Sequence, residues 1–94
     1  MITAVALISC KVGTVHQVAE ALVDVEGVAE VYSISGPHDI LAMIRVREYD
    51  ALAGVVSERI AAVDGITHTE THMAFQCYSK HDMEQMWAAH IGGE

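Results

Sequence analysis

Two junctions constrain this chain more than any other feature. Val25-Glu26-Gly27-Val28 and Val63-Asp64-Gly65-Ile66 repeat one order of apolar residue, acid, glycine and apolar residue. Each ends a segment of helical period and begins one of strand period. Before the first junction, Ile2 to Ser9 is an apolar, β-branched run of strand length. Val15, Val18, Ala19, Leu22 and Val25 then recur at helical spacing, with Thr14 placed as N-cap and Gly27 ending the helix. Val28 to Ser35 alternates, with Val28, Glu30, Tyr32 and Ile34 on one side and Ala29, Val31, Ser33 and Ser35 on the other. Gly36-Pro37-His38-Asp39 is turn chemistry, and Ile40 to Arg47 a third strand. A second helix begins near Asp50 with Leu52, Val55, Val56, Ile60 and Val63 on its apolar side, and Ile66 to about Phe75 makes a fourth strand.

The order is βαβ followed by βαβ, the split βαβ or ferredoxin-like sandwich of the α+β class. Right-handed crossovers give a four-stranded antiparallel sheet of strand order 4-1-3-2, with both helices on one face. The first and third strands are apolar on both faces (Ile2, Ala4, Ala6, Ile8 against Val5, Leu7; Ile40, Ala42, Ile44 against Leu41, Met43), as central strands require. The face without helices would then leave an apolar patch in water. A second copy packed sheet against sheet in a two-fold dimer covers it most economically, since burial is worth about 25 cal/mol per Å².

Length and charge narrow the function. Ninety-four residues make one domain, read as residues 1–78, followed by an extension over residues 79–94 in which Ser79 and Asp82 open a short C-terminal helix. There Met83, Met86 and Trp87 read as packing residues. Hydrophobic residues at 52% exclude disorder. Thirteen acids against five lysines and arginines, a net charge of −8, argue against direct grip on nucleic acid. No apolar run reaches membrane length, and no signal peptide precedes the first strand. Cys10 and Cys77, far apart and outside any CxxC spacing, read as reduced thiols of a cytoplasmic protein.

Candidate chemistry is sparse. His68, Glu70 and His72 share one side of a strand, but i, i+2 spacing of about 7 Å suits a single metal poorly, and no metal or other cofactor is expected. Cys10 with His16, or Ser35 with His38 and Asp39, can be drawn as nucleophilic pairs, yet sequence proximity does not make such a site. The turn at Gly36 has two readings: hairpin geometry alone, or exposed amides that receive an α-carboxylate. Thr67, Thr69 and Thr71 are likewise good strand formers, or donors and acceptors for a small zwitterion.

In order along the chain, Ile2-Thr-Ala-Val-Ala-Leu-Ile, Gly27-Val-Ala-Glu-Val31, Ser35-Gly-Pro-His-Asp-Ile-Leu41 and Gly65-Ile-Thr-His-Thr-Glu-Thr71 resemble the ligand-binding and oligomerisation (RAM) domain of the Lrp/AsnC family of amino-acid-responsive transcriptional regulators. The family's Gly-x-x-Asp turn matches Gly36 and Asp39, and its Thr-x-Thr pair matches Thr69 and Thr71. The resemblance implies a dimer that assembles further, often into an octamer of four dimers, with amino acids bound between subunits near the turn. It also implies a stand-alone member, because full-length relatives carry a helix-turn-helix ahead of this domain. His38 departs from the pattern, in which an aromatic residue often precedes the Asp.

The expectation is therefore a non-enzymatic module that binds an amino acid and modulates transcription indirectly, through full-length relatives. Gly36 and the following amides would take the carboxylate, and Asp39 would brace the turn or meet the ammonium. Ser33, Ser35, Thr69 and Thr71 would add hydrogen bonds, and His38 would gate the side chain. The alternatives are a small ferredoxin-like dimeric enzyme of oxygenase or isomerase type, and a ligand-free assembly partner.

Overall fold

The structure, a computed structural model, describes residues 1–80. Six elements follow one another: β1 (Ile2–Cys10), α1 (Val15–Val23), β2 (Val28–Ser33), β3 (Ile40–Val46), α2 (Tyr49–Gly54) and β4 (Ile66–Ala74). α2 passes directly into a wider π turn over Val55–Ile60. The strands form one antiparallel sheet ordered β2-β3-β1-β4, which is the expected 4-1-3-2 read from the other edge. Nearly all of the expected C-terminal helix lies outside the described residues.

The core explains why these strands are central. Ala4, Ala6 and Ile8 of β1 stand beside Ile44, Ala42 and Ile40 of β3, and all six are fully buried. Val18 and Leu22 of α1, Leu52 of α2, and Val55 and Ile60 of the π turn complete the same cluster. Both helices therefore share one face. On the other face Val5 pairs with Met43 and Leu7 with Leu41, flanked by Tyr32 opposite Leu41. Val5, Leu7, Leu41 and Met43 are half-buried, and Tyr32 is exposed. Phe75, beyond β4, is fully exposed and borders a depression with Thr3 and Met43 at one end of this face.

The repeated junctions do matching work. Gly27 and Gly65 both hold positive φ, +100° and +97°. A Cβ on Gly27 would stand 2.6 Å from Val55 Cγ2, and one on Gly65 2.9 Å from Val18 Cγ2. Each glycine thus lets the helical segment of the other βαβ unit close on the junction. Their carbonyls also accept from β3 and from the residue after β1: Arg45 N–H donates to Gly27 O at 2.9 Å, and Lys11 N–H to Gly65 O at 2.8 Å.

Four local expectations are corrected. Thr14 holds the N-cap position without capping, because its hydroxyl donates to Lys11 O at 2.7 Å. α1 ends at Val23, so Gly27 shapes the turn into β2 rather than stopping the helix. A bulge between Val28 and Glu30 places Val28 opposite Ile44 and Val31 opposite Ala42, on the helix side together, where strict alternation sets them apart. β2 also ends at Ser33, leaving Ile34 and Ser35 to the turn.

Candidate ligand-binding site

The turn between β2 and β3 is tied down at both ends. Ile34 N–H donates to Asp39 O at 2.9 Å, and Asp39 N–H to Ile8 O at 2.9 Å. The Asp39 carboxylate accepts from Cys10 N–H at 2.8 Å. The β1–β3 ladder ends at Ile8 and Ile40, so a side chain serves the next β1 amide that faces the β3 edge. Of the two roles expected for Asp39, bracing the turn is the one visible in its contacts. The loop above it is open. Gly36 sits at φ +104° with no atom within 4 Å of where a Cβ would stand, so it is needed for chain reversal and not for close packing.

His38 lies on the sheet face away from the helices. Its Nδ1 is 3.4 Å from Ser9 Oγ, and its Nε2 3.6 Å from Glu70 Oε2. The same carboxylate oxygen is 3.2 Å from His72 Nε2. Register accounts for the gathering, since Ser9 pairs with His68, Leu7 with Glu70 and Val5 with His72. The hydrogen bond from His72 holds the Glu70 carboxyl below its ordinary pKa. Partial desolvation opposes it, and the charges of His72, His38 and His68 reinforce it.

This cluster is not legible in the sequence as a unit, because its members belong to separate motifs. Ser9 carries no motif at all; its one signal is that it ends the apolar run of β1. His38 faces Ser9 with one ring nitrogen and Glu70 with the other.

Ser33, Thr69 and Thr71 go elsewhere. Ser33 is opposite Ile40, Thr69 opposite Ile8 and Thr71 opposite Ala6, all on the helix side. Thr71 borders a depression with Tyr49, Leu52, Val56 and Met73. The expected ligand residues therefore split within one protomer: Ser35, Gly36, His38 and Asp39 are contiguous in the turn, whereas Ser33, Thr69 and Thr71 do not share the face of His38.

The nucleophile pairings are not assembled. His16 pairs with Glu20 on the exposed side of α1. The Cys10 thiol is pushed up by burial and by the Asp39 charge, which disfavours the thiolate. Asp39 and His38 are engaged with Cys10, Ser9 and Glu70 rather than with Ser35. Ser9, His38 and Glu70 do follow the order hydroxyl, imidazole, carboxylate, but 3.4 and 3.6 Å exceed the reach that activates a nucleophile. Among the described residues, no three His, Cys, Asp or Glu side chains are placed to hold a metal ion. No helix among them is long and apolar enough to cross a membrane.

Comparison with known proteins agrees with this architecture. LrpA, a helix-turn-helix-type transcriptional regulator of Pyrococcus horikoshii, is 43% identical over 51 residues, which are 54% of this chain and 36% of that protein. The chain thus spans well under half the length of that curated relative. The crystal structure of TTHA0845 from Thermus thermophilus superposes with a TM-score of 0.79 at 39% identity, covering 85% of this chain and all of that one. A transcriptional regulator of Neisseria meningitidis, solved as its L-Met complex, shares the fold at TM-score 0.74 and 12% identity, with 83% of this chain and 52% of that chain covered. The family model of the Lrp/AsnC ligand binding domain matches residues 3–84. The chain therefore belongs to the Lrp/AsnC family, in its ligand-binding domain.

Proposed function

We propose that this chain is a non-enzymatic effector module of transcriptional regulation that binds a free amino acid at the turn over residues 34–39 and assembles through its open sheet face. The observation that carries the reading is the braced turn. Asp39 fixes the loop to β1 through Cys10 N–H, and Gly36 and its neighbours stay exposed. Such a loop offers amides to a carboxylate without reorganising first. Glu70, close by through His38, provides negative charge for an ammonium. An amino acid is also the ligand in the Neisseria meningitidis complex.

Ser33, Thr69 and Thr71 lie on the opposite side of the sheet from His38, so a complete site draws on more than one protomer. Dimers form by stacking of the face carrying Val5, Leu7, Leu41 and Met43, and dimers associate further, up to an octamer of four dimers. Ligand bound between subunits then strengthens assembly by linkage. With a net charge of −8, this domain does not hold DNA. It acts in the cytoplasm by co-assembling with full-length relatives that do. Family members bear the names of transcriptional regulators, which favours this over the oxygenase or isomerase alternative.

Isothermal titration against the twenty amino acids tests the proposal. Saturable heat from at least one, abolished by Asp39→Ala and accompanied by a change in oligomer size, is the expected result. Heat from none, with unchanged size, rejects it.

A further inference from the structure

A second depression lies at the other end of the sheet from the turn. The six steps of β1 from Ile8 back to Ile2 place it about 20 Å away. Its volume is about 470 Å³, and its lining includes Arg45, Arg47, Arg59, Glu26, Gly27 and Gly54. These are all three arginines of the chain, and three of its five lysines and arginines. In a protein of net charge −8, chance does not readily gather them around one hollow. Among the described residues, the side chains of the lining include three arginines and one acid, Glu26.

The arginines are not consumed by pairing. Arg45 has a half-exposed contact with Glu30 at 3.6 Å, long for a hydrogen bond. Arg59 donates to the neutral Glu26 carbonyl at 3.2 Å. Arg47 has no carboxylate partner among the described residues.

Two backbone features keep the hollow open. Gly54 ends α2 in ordinary helical geometry, yet nothing lies within 4 Å of where its Cβ would be. Glycine is among the poorest helix formers, so packing and propensity would both accept a larger residue there. The π turn begins at the next residue and carries both Val55 and Arg59 of the lining. Insertions of this type often mark functional positions in helices.

We infer that this hollow binds the phosphoryl group of a small phosphorylated molecule. Guanidinium forks match the oxygens of phosphate, and a dianion balances the net charge of the lining side chains, which a single carboxylate leaves half neutralised. The acidic surface as a whole disfavours a nucleic-acid backbone as the source of that phosphate. The site is independent of the turn at Gly36 and of the assembly proposed above.

The test is a titration of the full chain with inorganic phosphate, followed by amide NMR at constant ionic strength in chloride, with succinate as a parallel arm. Saturable shifts at Gly27, Arg47 and Gly54, and weaker or absent binding of succinate, are expected. Arg47→Gln, which removes no side-chain hydrogen bond or ion pair among the described residues, should weaken phosphate at least about tenfold, as loss of one charge-assisted partner does. Gly54→Leu, which fills the hollow, should weaken it similarly while leaving the spectrum well dispersed. Absence of saturation, shifts centred on the turn at residues 36–39, or either variant binding as well as the parent overturns the inference. Succinate binding as tightly as phosphate overturns the phosphoryl assignment.

Discussion

Replacing Asp39 with alanine removes the carboxylate that accepts from Cys10 N–H at 2.8 Å and leaves that half-buried amide without its partner past the end of the β1–β3 ladder. A hydrogen bond to a charged acceptor contributes about 1.5–3 kcal/mol net, and a stranded amide keeps its desolvation cost. Asp39→Ala should therefore lose about 2 kcal/mol. Asp39→Asn retains an acceptor of the same shape without the charge and should lose about half as much. Urea unfolding of both variants and the parent, at one protomer concentration and without amino acid, measures this directly. The fixed concentration matters because unfolding of an oligomer depends on it. The order parent, Asn, Ala is the expected outcome. Asp39→Ala within about 0.5 kcal/mol of the parent refutes the assignment of Asp39 as the brace, since changes that small are typical of uninvolved surface positions.

Gly27→Ala and Gly36→Ala form a matched pair. Both impose a positive φ on alanine, which costs about 1–2 kcal/mol, but only Gly27 also sets a Cβ 2.6 Å from Val55. Thermal unfolding should show Gly27→Ala as the more damaging, with partial recovery in the Gly27→Ala/Val55→Ala double variant; equal losses contradict the packing role. Glu70 supplies a pH test. Its folded pKa is lowered from the usual 4.5, so the stability it adds is fully present above that value and disappears as acid titrates it through the lower folded value. Stability curves of parent and Glu70→Gln should therefore converge as acid carries the pH below that lowered value, and a gap that widens with acid contradicts it.

Much of the fold is legible because burial on two faces leaves a plain mark. A strand apolar front and back must be central, and Ile2–Ile8 and Ile40–Ile44 are where that mark occurs. The paired acid–glycine junctions are legible for a similar reason, as the small residue is required by steric contact with the opposite helical segment. The bulge at Ala29 and the π turn over Val55–Ile60 are not, since each adds or shifts one residue without disturbing composition. The cluster at His38 depends on residues 29 and more positions apart meeting across strands. No local spacing records such a meeting. The gathering of Arg45, Arg47 and Arg59 is hidden likewise, because β3 and the π turn come together only in the folded chain.

The mass of the protein in solution tests the central claim most directly, that the face built from Val5, Leu7, Leu41 and Met43 meets a second copy of itself. Light scattering on the eluting peak at micromolar concentration should give a multiple of the 10.2 kDa chain mass. Leu41→Asp should reduce it toward one chain, because an unpaired charge at such an interface costs several kcal/mol. A parent that elutes as a single folded chain, with the same mass in the Leu41→Asp variant, contradicts the account.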